Sequence, residues 1–136
     1  MPDCTVSSDI IVGFPTESDS DFEDTMRALE RARFDMIFSF QYSPRKGTPA
    51  ASMEQIPQSV KQARFERMLE LQNSISLECN KKAEGKTFRV LCEGASKNDP
   101  DKFYGRTEGG KIVFFAPCNE NIGKFVNVEI ERGDTF

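Results

Sequence analysis

The sequence predicts an α/β segment followed by a small all-β barrel of the OB type. The first half contains a continuous β-branched run at residues 10–12 and two apolar stripes with helical spacing. After Gly85 the apolar period changes to two, as in strands with one buried face. Turn residues separate these later short strands, which is typical of small sandwiches and barrels.

The first half is predicted to fold as strand, helix, strand and a long second helix. Ser18 is expected to cap the first helix with Asp21 as its capping-box partner. The second strand covers residues 36–42 and completes a right-handed βαβ unit. Such a unit leaves one sheet face and both strand edges uncovered, so neighbouring elements are expected to cover them. The apolar stripe of the first helix is Phe22, Met26, Leu29 and Ala32.

The long second helix is expected to start after Pro57 and to end near Gly85. Its predicted apolar stripe is Val60, Phe65, Met68, Leu69, Gln72, Ile75 and Cys79. Four strands are then expected, at about 87–95, 103–107, 111–116 and 124–132. Because an OB-like barrel has about five strands, we expect this barrel to be truncated at its carboxyl end.

The composition excludes several kinds of site. The 136 residues contain no histidine, and four cysteines stand far apart in the sequence, at Cys4, Cys79, Cys92 and Cys118. Without histidine there is no Ser-His or Cys-His nucleophile pair, and the cysteine spacing fits no compact metal motif. We therefore predict no catalytic residue, no metal ligand, and free thiols in a reducing, cytoplasmic compartment. The alternative is a disulfide or a metal site built from cysteines that are far apart in the sequence. No apolar run has the length of a membrane span, so no membrane partner is expected.

The net charge of −4 argues against a general coat for nucleic acid, but the charge is uneven. Residues 86–136 contain eight basic and eight acidic side chains, so the acidic excess lies in residues 1–85. The second half can therefore present a local basic face.

Two segments follow the predicted strands of the first half at the edge where α/β folds bind ligands. Gly13, Phe14, Pro15 and Glu17 follow the first strand, and Arg45 follows the second. Glu17 could accept a hydroxyl or amine of a ligand, and Arg45 could hold a carboxylate or phosphate. The alternative is a tight turn and a solvated surface loop without a ligand.

The segment YGRTEGGKIVFF in the second half combines cations with aromatic residues. OB-like modules bind RNA with such sets, by stacking and by phosphate contacts. Arg106, Lys111 and the nearby Lys97 would supply the charge. Strand alternation places only one of Phe114 and Phe115 in the core. The alternative is a set of ordinary core aromatics beside surface charges.

Four segments in this order resemble one family, the MiaB-type tRNA methylthiotransferases, which are radical S-adenosylmethionine enzymes. They are DIIVGFPTESDSDFEDT, FSFQYSPRKGTPAA, QIPQSVKQARFERMLELQ and VLCEGASK with GRTEGGKIVFF. A sibling family that modifies a ribosomal protein has a similar layout, with an acidic residue in place of Arg45. The arginine favours the tRNA branch.

The resemblance implies three parts. Residues 1–52 resemble the late βαβ part of a radical-SAM partial TIM-like barrel, residues 53–85 the connecting helix, and residues 86–136 a TRAM domain whose last strand is missing. The family adds a methylthio group to an isopentenylated adenosine next to the tRNA anticodon. It does so with S-adenosylmethionine and two 4Fe-4S clusters. Its CxxxCxxC motif is absent here, so this piece is expected to bind no cofactor and to be inactive alone.

The resemblance also implies site residues and partners. Gly13, Phe14, Pro15, Glu17 and Arg45 correspond to the barrel rim beside the S-adenosylmethionine pocket. The RNA-facing residues of the TRAM domain are expected to be Arg106, Thr107 and Lys111. The charge and aromatic pattern adds Lys97 and Phe115 to the expected RNA-binding residues. The partners are the tRNA anticodon stem-loop and the upstream part of the same enzyme. Two alternatives are a stand-alone RNA-binding module and an assembly protein that dimerises through exposed strand edges.

Overall fold

The computed structural model describes residues 4–135, which form two compact units. One unit is Val6–Glu78; the other consists of residues 79–135 with residues 4–5. The elements are β1 (Ser7–Val12), α1 (Asp19–Ala32), β2 (Met36–Gln41), a 3-10 turn (Pro49–Ser52), α2 (Gln58–Lys81), β3 (Thr87–Ala95), β4 (Phe103–Thr107), β5 (Ile112–Phe115), a second 3-10 turn (Asn119–Asn121) and β6 (Phe125–Glu129).

The unit Val6–Glu78 is built around a parallel pair of strands, as predicted. Strand β1 pairs with β2 in the register Ser7 to Met36 through Val12 to Gln41. Helix α1 connects them, and Ser18 caps it with the reciprocal hydrogen bonds of a capping box that includes Asp21. The predicted strand–helix–strand arrangement and its capping box are therefore confirmed.

The core of this unit lies between the helices and one sheet face. It consists of Val12, Phe22, Met26, Leu29 and Met68. The predicted stripe of α1 is confirmed except at Ala32, which is exposed in the last turn.

The predicted stripe of α2 is only partly correct. Met68, Gln72 and Ile75 are buried, whereas Val60 and Leu69 are half-buried. The helix also buries polar side chains that the apolar pattern omitted: Lys61, Arg64 and Ser76. These side chains form hydrogen bonds with residues in the loops of the unit, and this compensates for their burial.

The other face of the β1–β2 pair is open to solvent. Its exposed apolar side chains are Ile11, Met36, Phe38 and Phe40, each 48–54% accessible. We call these four residues the open face. The unit thus exposes the sheet face that a lone βαβ unit was expected to leave uncovered.

The second unit contains an antiparallel sheet of four strands in the order β5-β4-β3-β6. The predicted strands are confirmed, although the last one ends at Glu129 instead of residue 132. A bulge interrupts the pairing of β3 with β4 between Cys92 and Gly94. The inner face buries Val90, Cys92 and Phe103.

Candidate functional sites in the two units

The carboxyl ends of β1 and β2 lie side by side. The Tyr42 N–H donates to the Val12 carbonyl at 2.8 Å and extends the ladder beyond the strands. The rings of Phe14 and Tyr42 meet edge-on with their centroids 5.1 Å apart. The two segments that were predicted to share one rim, residues 13–17 and 42–45, therefore begin next to each other.

The first rim segment is a tight turn. The Glu17 N–H donates to the Phe14 carbonyl at 2.9 Å, so Pro15 and Thr16 occupy the central positions. Thr16 has φ 78°, the left-handed value of a type II turn, where glycine is the usual residue. A β-branched residue in this region is rare, and its strain is typical of loops that serve a function.

The Glu17 carboxylate is the centre of a polar network. Its Oε2 accepts hydrogen bonds from the Gly13 N–H at 2.8 Å and from Arg64 Nη1 at 2.6 Å. Arg64 Nη1 also donates to the Glu17 carbonyl at 3.1 Å, and Nη2 donates to Asp19 Oδ1 at 2.7 Å. The side chains of Arg64 and Glu17 are only 9% and 11% exposed. Arg64 thus connects α2 to the turn and to the start of α1.

Arg64 keeps its positive charge in this network. Burial lowers the pKa of Arg64, but hydrogen bonds with Asp19 and Glu17 outweigh burial and raise the pKa above its ordinary value. Arg64 therefore stays protonated and holds Glu17 as its counter-ion. Because Oε2 of Glu17 is engaged inside the protein, a ligand contact by this residue would use Oε1.

Lys61 makes the second connection between α2 and the rim. Its Nζ donates to the Tyr42 carbonyl at 3.2 Å. Its stem packs against Gly13, where an added Cβ would stand 2.3 Å from Lys61 Cγ. Gly13 also has φ +75°, so both the backbone conformation and the space at this position require glycine.

An open cavity of about 290 Å³ adjoins the turn. Arg45 lies on the second rim segment with an exposed side chain, and its guanidinium has no hydrogen-bond partner within residues 4–135. The volume of the cavity lies just below the usual range of small-molecule sites. The residues that line it are Thr16, Glu17, Glu54, Gln55, Ile56 and Pro57.

The outer face of the four-stranded sheet β5-β4-β3-β6 is exposed and combines aromatic, apolar and arginine side chains. The cross-strand pairs Tyr104–Phe114, Arg106–Ile112 and Leu91–Phe125 place these side chains on one side. Ile112, Phe114 and Phe125 are 49–53% accessible. We call this surface the aromatic face; it consists of Arg89, Leu91, Tyr104, Arg106, Ile112, Phe114 and Phe125.

Both arginines of the aromatic face have acidic partners. Arg106 Nε lies 3.0 Å from Glu93 Oε1, and Arg89 Nη1 lies 3.8 Å from Glu108 Oε1. The Arg89 guanidinium also lies over the Phe125 ring, 4.1 Å from its centroid.

The predicted RNA-binding residues do not share one surface. Arg106 belongs to the aromatic face, whereas Thr107 and Phe115 point to the inner side, opposite Val90 and Phe103. Pairing register, which the sequence does not reveal, makes Phe114 the exposed member of the Phe114–Phe115 pair.

The two predicted lysines lie outside the strands. Lys97 is exposed in the loop after β3. Lys111 Nζ donates to Asn80 Oδ1 at 2.9 Å, so this lysine contributes to the structure of its own unit.

The thiols do not form a cluster site. Cys92 is buried and Cys4 is exposed, and over residues 4–135 no group of three or more potential ligands could hold a metal ion. These residues therefore do not fit an iron–sulfur cluster, which needs several thiolates together. Over the same residues, no helix has the length and apolar character of a membrane span.

Comparison with known proteins identifies the relatives of the chain. The TRAM domain family matches residues 81–136. Proteins named tRNA-2-methylthio-N(6)-dimethylallyladenosine synthase align with the whole chain: one from Clostridium novyi (strain NT) at 47% identity, one from Clostridium botulinum (strain Langeland) at 49%, and one from Acetivibrio thermocellus at 50%. The chain spans only 28–30% of the length of these relatives, at their carboxyl end. The chain is therefore similar over its whole length to the carboxy-terminal part of proteins with that name, and its residues 81–136 match the TRAM domain family.

Proposed function

We propose that the chain serves as the carboxy-terminal part of an enzyme that methylthiolates an isopentenylated adenosine beside the tRNA anticodon. The observation that supports this most strongly is the match of the whole chain, at 47–50% identity, to proteins named for that activity. In this proposal the first unit supplies part of a barrel rim and the TRAM domain holds tRNA, in the cytoplasm.

The rim would face S-adenosylmethionine in the complete enzyme. S-adenosylmethionine bound to a 4Fe-4S cluster supplies the radical chemistry of such enzymes. The residues of this chain would bind and orient it: Phe14 offers a half-exposed ring, and Arg45 offers an exposed cation with no hydrogen-bond partner among residues 4–135. Gly13 lets the Lys61 stem pack against the turn. Pro15 and Glu17 shape the turn, and Arg64 and Lys61 hold it against α2.

The chain alone is proposed to be inactive, because its thiols lie apart. Reconstitution of the 136-residue chain with iron and sulfide should produce no visible absorption of an iron–sulfur cluster. A stable cluster spectrum would contradict this part of the proposal.

The RNA-binding part can be tested with an anticodon stem-loop RNA. Fluorescence anisotropy should show binding that weakens with salt, since phosphate contacts release counter-ions. Arg106→Glu should weaken binding and lower the salt slope by about one unit. Arg31→Glu makes the same charge change on the exposed last turn of α1 and is the matched control. Equal effects of the two substitutions would contradict a specific RNA face at Arg106.

A second candidate function is self-assembly through the open face. The exposed Ile11, Met36, Phe38 and Phe40 support it, because apolar patches of this kind often mark contact surfaces. Sedimentation at increasing concentration distinguishes the two proposals: a dimer without RNA binding would favour assembly.

A further inference from the structure

We propose that the aromatic face binds unpaired nucleotides by stacking bases on Phe114 and Phe125. This inference rests on the proposed RNA-binding function and specifies which form of RNA the TRAM domain holds and how. Stacking requires bases that are free of a helix, so loops or single strands are the expected ligand.

The first argument is exposure. Phe114 and Phe125 are each 53% accessible, and Ile112, which shares strand β5 with Phe114, is 49% accessible. A sheet that needed only a core would bury rings on its inner face, as it does at Phe103. Large rings on the outer face leave apolar surface exposed to water, which is unfavourable. Stacked bases would cover that surface.

The second argument is the layout of the face. Phe114 and Phe125 lie on the two edge strands, β5 and β6, with three strand spacings between them. At about 4.8 Å per spacing, the strands that carry the rings lie roughly 14 Å apart, which gives room for more than one base. On the two strands between the rings, the face carries Leu91, Tyr104 and Arg106. Gly94, opposite Tyr104, adds no side chain, and nothing lies within 4 Å of the position of its missing Cβ.

The third argument concerns charge. Arg106 and Arg89 lie between and beside the rings, where phosphates of a bound strand would pass. Glu93 and Glu108 already neutralise them in part, since both pairs lie within 4 Å. Binding should therefore depend more on stacking than on phosphate contacts, and removing Glu93 should release Arg106 for a phosphate.

The test uses the 136-residue chain with a fluorescein-labelled single-stranded RNA and with a duplex of the same sequence. The chain should prefer the single strand. Phe114→Ala and Phe125→Ala should each weaken single-strand binding by about fivefold or more, the lower end of the effect of base stacking. Phe114→Tyr keeps a ring and should restore binding, whereas Phe114→Leu should not. Glu93→Gln should tighten binding.

The matched control is Phe40→Ala, which removes a ring of similar exposure from the open face of the other unit. It should leave RNA affinity unchanged, and circular dichroism verifies that each variant is folded. If Phe114→Ala unfolds the protein, the comparison of Phe114→Tyr with Phe114→Leu provides the same test.

The remaining outcomes would overturn the inference, and they show whether the proposed function fails with it. RNA binding that is sensitive to Arg106→Glu but not to the phenylalanine substitutions would reject stacking and leave the proposed function intact. Equal affinity for duplex and single strand would do the same. Loss of self-association in Phe114→Ala without a change in RNA affinity would assign the face to a second copy of the chain. No RNA binding by the unsubstituted chain would overturn the proposed function and the inference together.

Discussion

Arg64 shows how one charged residue on a helix can organise a loop. It is nearly buried, and its hydrogen bonds go to two carboxylates of opposite charge and to one backbone carbonyl. Its guanidinium also lies over the Phe22 ring, 5.6 Å from the centroid. The planar fork allows one residue to engage Glu17 and Asp19 at once, which lysine could not reproduce.

Arg64→Met should destabilise the chain by about 3–5 kcal/mol, because it leaves Glu17 buried without its counter-ion. Urea unfolding followed by circular dichroism measures the loss. The matched control is Arg67→Met, since Arg67 also lies over Phe22 and pairs with a carboxylate, that of Glu23.

The Arg67–Glu23 pair differs in being about half exposed, so Arg67→Met should destabilise the chain much less than Arg64→Met does. Similar losses in the two variants would show that burial does not strengthen the Arg64 network. The rim would then depend on the backbone turn alone.

At the scale of elements, helix α1 begins at a position that is set by residues close together in the sequence. The Ser18 side chain accepts the Asp21 N–H, and the Asp21 carboxylate accepts the Ser18 N–H at 2.9 Å. The side-chain hydrogen bond from Ser18, followed by the backbone one, lowers the pKa of Asp21 below its ordinary value of 3.8. The capping box needs only neighbours in sequence, which is why it could be predicted.

Ser18→Ala should destabilise the chain by about 1 kcal/mol through the lost cap. Because the folded pKa of Asp21 is lowered, its contribution is present above pH 3.8 and is lost as pH falls through the lower folded value. The free energy of unfolding of Ser18→Ala should therefore decrease less steeply, as the pH falls, than that of the unsubstituted chain. Ser20→Ala, on the exposed first turn, is the control, and an equal effect there would argue against the capping role.

Helix α2 illustrates where periodicity fails. Apolar spacing finds a buried face only when the buried residues are apolar, and here Lys61, Arg64 and Ser76 are buried through polar contacts. Their partners, such as the Tyr42 carbonyl and Glu17, lie at least 19 residues away in sequence. No local pattern carries that information.

At the scale of the whole molecule, the open face is an apolar surface of the first unit that is exposed to solvent. Ile11 and Phe40 are directly paired and each is 54% accessible. In the proposed function, upstream segments of the enzyme cover these residues.

Fusing the upstream part of the Clostridium novyi relative to this chain should slow amide hydrogen exchange in β1 and β2, because coverage of the open face suppresses local opening. Exchange in β3 and β4 provides the internal reference. Unchanged protection of β1 and β2 in a folded fusion would show that the open face is not a contact with the upstream part.

The sequence by itself determined the order of elements, the capping box, the four later strands and the resemblance to the family. These features depend on local periodicity and on short motifs, and they do not require knowledge of which segments meet. Only the tertiary structure decided that Arg64 and Lys61 hold the rim, and that Phe114, not Phe115, is exposed beside Arg106. Buried polar partners and strand register arise from long-range pairing, and a linear pattern does not contain that pairing.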